Sequence, residues 1–250
     1  YRALMQEFKF LQALSQAIDR ATLNDIVWLG QAIPRTISVV RDSALFQPDI
    51  EDVYADYDPE LAMELLDEIG LPVGSDGMRR FEDGSELILI IEGNSQSGQA
   101  TLDAIELVAE NWRAIGLNTS VEFSTRDVYW PKACANEVMI ATWGTDRGLV
   151  PMIDPIYQFP FDERSWMAPA FGTWYKTNGQ EGEEPNAQLQ ALMDLFDQYK
   201  VTVDSDTQQA LAEQIVADTT TELNVIQTCG MAPAPVIVNN NFHNVAKDHT

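Results

Sequence analysis

The sequence has 250 residues, 45% of them hydrophobic, and carries a formal net charge of −24 at pH 7. This negative charge argues against binding to nucleic acid or to anionic membrane surfaces, because both would repel the chain. Since no run of about 18 apolar residues occurs, the sequence predicts no membrane-spanning helix. The hydrophobic content is enough to build the core of one large domain or of two small ones.

Helical patterns dominate the first seventy residues. Apolar residues at helical spacing predict an amphipathic helix that ends near Asp19, and the segment starting at Thr22 resembles a capping box that begins a second helix. Asp58 followed by Pro59 is typical of a helix start, since the acid accepts from free backbone N–H groups and proline suits the first turn. Residues 31–57, between these helices, lack periodicity and predict an acidic loop without the central glycine that a calcium loop needs.

A strand–helix–strand unit is predicted next. Residues 86–92 are an apolar run flanked by a glutamate at each end, and residues 117–123 alternate between apolar and polar side chains, so both segments are typical of strands. The helix between them carries Trp112 on its apolar face, and we therefore expect Trp112 in the core. Such a unit is expected to join its strands by a right-handed crossover.

The polar loop after the first of these strands has two interpretations. It lacks the Gly-x-Ser-x-Gly pattern of a nucleophile elbow and the Gly-Lys-Ser/Thr ending of a phosphate loop. It is either a simple strand-to-helix turn or a place where Asn94 contacts a ligand, because helix starts present free backbone donors.

Residues 137–142 begin with Glu137 and continue as a second apolar run that ends in a threonine and leads directly into Trp-Gly-Thr-Asp. An unbroken run of this kind predicts a strand buried on both faces of a parallel or mixed sheet. Open α/β sheets bind ligands just beyond the carboxyl ends of their strands, so we expect a small organic solute here. The candidate ligand-binding residues are Trp143, Gly144, Thr145 and Asp146.

These candidates have structural alternatives. Trp143 is also compatible with a core position at the end of a strand, and Asp146 with a turn-capping acid. Trp130, in a short helical piece before the strand, is a further candidate for ligand binding.

The last hundred residues begin with a long irregular segment. Residues 147–184 are rich in proline and aromatic residues, which indicates either a functional loop or a small packed cluster. Two helices then follow, with two short extended pieces and a polar tail behind them. Taken together, the elements predict an α/β fold, a mixed β-sheet flanked by helices.

Enzymatic chemistry finds little support. The only histidines are His243 and His249, in the tail, so histidine metal sites and histidine-activated nucleophiles are not expected. We therefore predict a protein that is not an enzyme and that needs no cofactor or metal. A glycosidase with paired carboxylates stays an alternative because acids are abundant, although no spacing singles out a pair.

Cys134 and Cys229 are either free thiols or one disulfide.

Four segments, in this order, resemble motifs of the family 5 extracellular solute-binding proteins, the dipeptide- and oligopeptide-binding group of bacterial ABC importers. They are FLQALSQAIDR from Phe10, YDPELAMELLDEIG from Tyr57, WRAIGL from Trp112 and WGTD from Trp143. The resemblance implies one lobe of a two-lobed type II periplasmic-binding-protein-like fold. Residues 1–238 would be the second, C-terminal lobe and residues 239–250 a loose polar tail, with the first lobe absent from this chain.

The resemblance also implies a function. Such a receptor, periplasmic or lipid-anchored outside the cytoplasm, closes on a solute between its lobes and delivers it to a membrane permease. In the peptide binders the aspartate of W-x-x-D pairs with the α-amino group of the ligand, a role that would fall to Asp146 with Trp143 as a wall. The segment from Trp174 to Pro185 resembles an insert of a subgroup for which oligosaccharides are an alternative ligand class. A sensory or interaction module without transport is the alternative function.

Overall fold

The structure is a computed structural model that describes residues 1–145, 147–233 and 237–244. Its helices are α1 (Phe8–Gln16), α2 (Arg20–Trp28), α3 (Pro59–Glu68), α4 (Gln99–Ala114), α5 (Arg126–Cys134), α6 (Pro169–Lys176), α7 (Ala187–Val201) and α8 (Ser205–Thr221). Its strands are β1 (Ile33–Pro34), β2 (Ile88–Asn94), β3 (Asn118–Ser124), β4 (Ile140–Ala141) and β5 (Cys229–Gly230). Within these ranges no helix is both long and apolar enough to cross a bilayer.

The strands form two separate sheets. Three parallel strands lie in the order β3-β2-β4, with Ile91 of β2 opposite Val121 of β3 on one side and Ile140 of β4 on the other. Strands β1 and β5 form a two-stranded antiparallel pair. The predicted α/β class is confirmed, and so is the strand–helix–strand unit, which consists of β2, α4 and β3.

The prediction of a strand buried on both faces at residues 137–142 was wrong. Only Ile140 and Ala141 form strand β4, both are half-buried, and Met139 before them is 36% exposed. The strand is at the edge of its sheet because only β2 pairs with it in the described residues. An apolar run shows that a segment avoids water, but it does not show how many strands flank it.

Side-chain caps account for most helix starts. Asp58, Asn186 and Asp204 each accept a hydrogen bond from a backbone N–H in the first turn of the helix that follows. The predicted capping box at Thr22 was wrong. Asp19 is the cap instead: its carboxylate accepts from the backbone N–H of Thr22 at 2.9 Å, so α2 begins at Arg20 and Thr22 lies inside it.

Two hydrophobic cores hold the elements together. The first lies among α1 to α4 and the parallel sheet, and it includes Trp112, whose indole N–H donates to the carbonyl of Leu14 at 2.9 Å. Trp112 is 4% exposed, which confirms its predicted core position. The second core joins α7 and α8 to part of the aromatic segment, where Phe159 is fully buried against Phe161 and Phe196. Part of the segment predicted to be irregular is therefore packed, and it includes helix α6.

Candidate functional site

The end of strand β4 is anchored to helix α5 through Tyr129. The fully buried Tyr129 hydroxyl donates to the carbonyl of Thr142 at 2.9 Å and accepts from its N–H at 2.7 Å. Burial raises the pKa of Tyr129 to about 12, so the hydroxyl keeps its proton at neutral pH and can donate. The Thr142 hydroxyl donates in turn to the carbonyl of Glu92 on β2 at 2.9 Å. These bonds fix the backbone immediately before Trp143.

Helix α5 is held against the sheet by an ion pair as well. The Lys132 ammonium lies 2.6 Å from the carboxylate of Glu92, a residue of β2 that is only 8% exposed. The hydrogen bond to Glu92 raises the pKa of Lys132, so the ammonium stays charged at neutral pH. Strand, helix and the start of the Trp-Gly-Thr-Asp segment are thus one connected unit.

Three indole rings and one phenol meet at this point, and we call them the aromatic cluster: Tyr129, Trp130, Trp143 and Trp166. The ring centroids of Trp130 and Trp143 are 5.3 Å apart, those of Trp130 and Trp166 4.9 Å, and those of Trp143 and Trp166 5.3 Å. All three indole pairs have steep, edge-to-face geometry, which is favourable for aromatic rings. Because the indoles are only half-buried, they keep surface available to a ligand.

The sequence indicates Trp130 and Trp143 as candidates but does not single out Trp166. Trp166 lies in the irregular aromatic segment, which ion pairs fold back onto the cluster. Arg164 pairs with Asp154 at 2.9 Å and with Asp162 at 2.6 Å, and Arg147 pairs with Asp154 at 2.7 Å. No periodic pattern predicts these pairs. The signal that was present was the density of aromatic residues in that segment.

A cavity of about 880 Å³ lies beside the cluster. Its walls include the free side of β4, the apolar faces of α1 and α4, and residues 222–229. Trp143, Gly144, Thr145 and Trp166 line it, whereas Trp130 and Asn94 do not. Cavities of roughly 300–1,000 Å³ with mostly apolar walls are usual for small-molecule sites.

The remaining predicted residues have varied surroundings. Gly144 is exposed, and its carbonyl accepts from the Tyr157 hydroxyl at 3.1 Å. Asn94 is 6% exposed, and its carboxamide oxygen accepts from the N–H of Gln96 at 3.0 Å, as expected for the simple-turn interpretation. Asp146 lies outside the described residues.

In the part of the chain that the structure describes, no group of three or more His, Cys, Asp or Glu side chains is placed to hold a metal ion. Cys134 and Cys229 are both free and half-buried. What the described site offers is stacking surface and hydrogen-bond donors.

Tyr129→Phe is expected to lower the free energy of unfolding by about 1–3 kcal/mol, because the N–H and carbonyl of Thr142 would lose their shared partner. Urea denaturation followed by circular dichroism measures the change. Tyr57→Phe is the matched control, since Tyr57 is 49% exposed, and it should shift the free energy by less than about 0.5 kcal/mol. Equal shifts in both variants would show that the Tyr129 hydroxyl does not anchor the strand end.

Comparison with known proteins places this arrangement in a family. The model of "Bacterial extracellular solute-binding proteins, family 5 Middle" matches residues 2–164. Among solved structures, an oligopeptide-binding protein, OppA, is similar with 31% identity and a TM-score of 0.83, over 91% of this chain and 38% of OppA. The chain therefore spans less than half the length of that protein.

Two further structures share the fold at lower identity. MelB from Agrobacterium fabrum C58, in complex with stachyose, has 16% identity and a TM-score of 0.76 over 91% of this chain and 34% of its own. AppA from Bacillus subtilis, in complex with a nonapeptide, has 18% identity and a TM-score of 0.68 over 91% and 42%. No protein in the curated set matched the sequence. Because the family model covers more than half of the residues, the chain belongs to the family 5 bacterial extracellular solute-binding proteins, a substrate-binding family.

Proposed function

We propose that this chain is one lobe of the receptor of an ABC importer. Residues 1–238 form the second lobe, and residues 239–250 form a polar tail. The complete receptor captures a peptide or an oligosaccharide in the cleft between its two lobes, closes by rotation about a hinge, and delivers the solute to the membrane permease. It works in the periplasm, or outside the cytoplasmic membrane on a lipid anchor.

The observation that carries this proposal is the aromatic cluster beside the cavity at the end of β4. Indole faces stack on the apolar faces of sugar rings and on apolar peptide side chains, while backbone and side-chain groups supply the hydrogen bonds that fix orientation. Trp143 and Trp166 both belong to the cluster and line the cavity, so a solute in the cavity would contact these two rings first.

Two classes of ligand, peptides and oligosaccharides, fit the proposed receptor. One similar protein is an oligopeptide-binding protein, another was solved with a nonapeptide and a third with stachyose. The described site fits both classes, because stacking surface does not distinguish a sugar face from an apolar side chain.

A thermal-shift panel on the full-length protein tests the proposal. Peptides of two to nine residues and neutral oligosaccharides of two to six sugars are compared at equal concentration. A solute present at 100 times its Kd should stabilise the protein by about 2.7 kcal/mol, a rise of several degrees in Tm. If no member of either class raised the Tm, the proposal of a peptide or oligosaccharide receptor would be contradicted.

We further propose that Asp146 pairs with the α-amino group of a peptide ligand, and a separate experiment tests this role. Asp146→Asn should weaken the affinity for a peptide with a free α-amino group by about 1.5–3 kcal/mol, the range for a hydrogen bond to a charged group. Isothermal titration calorimetry measures it, with the N-acetylated peptide as control, since that ligand carries no charge at its amino end. An unchanged affinity for the free peptide would remove Asp146 from the site.

A further inference from the structure

Arg126 is an unusual cation at the rim of the aromatic cluster. It is exposed and is the first residue of α5, and its guanidinium carbon lies 5.4 Å from the ring centroid of Trp130 and 5.6 Å from that of Trp143. At these distances a cation is attracted to the negative faces of indole rings. Arg126 is thus held over two of the residues that the sequence identified as candidates for binding.

Among the described residues, the guanidinium of Arg126 has no hydrogen-bond acceptor and no ion-pair partner. The backbone N–H of Arg126 donates to the side-chain oxygen of Gln96 at 3.5 Å. Within the described ranges, the guanidinium of every other arginine donates a hydrogen bond or forms an ion pair. Five N–H donors in a fixed planar geometry therefore have no acceptor at this position in the part of the chain that the structure describes.

The lack of a partner for Arg126 is unexpected in a chain with so many acidic residues. The chain carries 39 acidic residues against 15 lysines and arginines, so acceptors for an arginine are plentiful. Lys132, on the same helix, is paired with Glu92, and the nearest acid in sequence, Asp127, forms no ion pair with Arg126. Because salt screens charges beyond about 8 Å, the chain's overall negative charge does not cancel a local cation at the cluster.

A guanidinium that aromatic rings hold in place is well suited to bind a carboxylate. A planar guanidinium donates two parallel hydrogen bonds to a carboxylate, and holding it in place beforehand reduces the entropy lost on binding. The start of α5 adds to this, because Thr125 gives no side-chain cap and the positive end of the helix dipole favours an anion there.

We propose that Arg126 binds a carboxylate of the solute while the indoles of Trp130 and Trp143 hold its guanidinium in place. This inference rests on the proposed receptor function and narrows its ligands to solutes that carry a carboxylate. Such a group is supplied either by a peptide with a free C-terminus or by an oligosaccharide that contains a uronic acid.

Matched ligand pairs test the role of Arg126 on the full-length protein by isothermal titration calorimetry. One pair is a tripeptide and its C-terminal amide, and the other is trigalacturonate and its methyl ester. The acid of one pair should bind about tenfold to a hundredfold more tightly than the amide or ester that lacks the carboxylate. The pair that shows the preference identifies the source of the carboxylate.

Two variants separate the charge from the shape of the site. Arg126→Gln should remove the preference for the acid and leave the affinity of the amide or ester nearly unchanged, while Arg126→Lys should keep part of the preference. A preference that survives in Arg126→Gln, or an amide and an ester that bind as tightly as the acids, would overturn the role of Arg126 and leave the receptor function standing. If neither pair nor any other peptide or oligosaccharide bound, the receptor function itself would be contradicted.

Discussion

Replacing Arg20 by methionine is expected to lower the free energy of unfolding by about 3–5 kcal/mol, the largest stability change of any substitution proposed for this chain. Arg20 is 1% exposed and forms no ion pair with a carboxylate in the described residues. Its guanidinium instead donates to the carbonyls of Ser15, Ala55 and Gln227 at 2.7, 3.2 and 2.8 Å. Burial lowers the pKa of Arg20 to about 10, so the group remains charged at neutral pH.

The size of the effect follows from where these carbonyls lie. Ser15 belongs to α1, Ala55 to the loop before α3, and Gln227 to the segment just before β5, so one side chain joins three distant parts of the chain. Methionine fills much of the same volume but donates no hydrogen bond, which leaves buried carbonyls without a partner at about 1–3 kcal/mol each.

Urea denaturation followed by far-ultraviolet circular dichroism measures the loss. Arg20→Lys should recover only part of it, because one ammonium cannot reach all three carbonyls. Arg2→Met is the matched control: the Arg2 side chain is 67% exposed in a surface ion pair with Glu183, so its loss should cost less than about 1 kcal/mol. Similar midpoints for Arg20→Met and Arg2→Met would contradict the proposed role of Arg20.

The sequence predicts well those features that depend only on residues close together in the chain. Asp58 and Pro59 start α3 because a capping acid and a proline suit the first turn in any surroundings. Trp112 is buried as predicted because helical spacing alone puts it on the apolar face of α4. The parallel pairing of β2 with β3 follows from the short helical connection between them.

The features that sequence does not predict depend on contacts between distant residues. The burial of β4 was overestimated because an apolar run carries no information on how many strands flank it. Trp166 contacts Trp130, 36 residues earlier in the chain, and lies next to a segment that is folded by ion pairs of Arg164 with Asp154 and Asp162; no periodicity marks those pairs. The unpaired state of Arg126 likewise becomes visible only when the partners of the other arginines are known.

The largest effect on binding is expected for Trp143→Ala. Trp143 contacts both other indoles of the cluster and lines the cavity, so its removal takes away stacking surface and leaves a void between Trp130 and Trp166. Under the proposed receptor function, affinity for the solute found in the thermal-shift panel should fall by about 2–4 kcal/mol, the range of a central aromatic contact in a binding site. Isothermal titration calorimetry on the full-length protein measures the change.

Two further variants distinguish a lost contact from a lost fold. Trp143→Phe keeps a ring at the same position and should recover part of the affinity, because a smaller aromatic face still stacks. Trp174→Ala removes an indole of the same segment that lies outside both the cluster and the cavity walls, so stability can fall while affinity stays within about twofold. Since Tyr129 holds the strand end through Thr142 in all three variants, far-ultraviolet circular dichroism should show a retained fold. A folded Trp143→Ala protein with unchanged affinity would place the solute away from the aromatic cluster and would contradict the cavity beside β4 as its binding site.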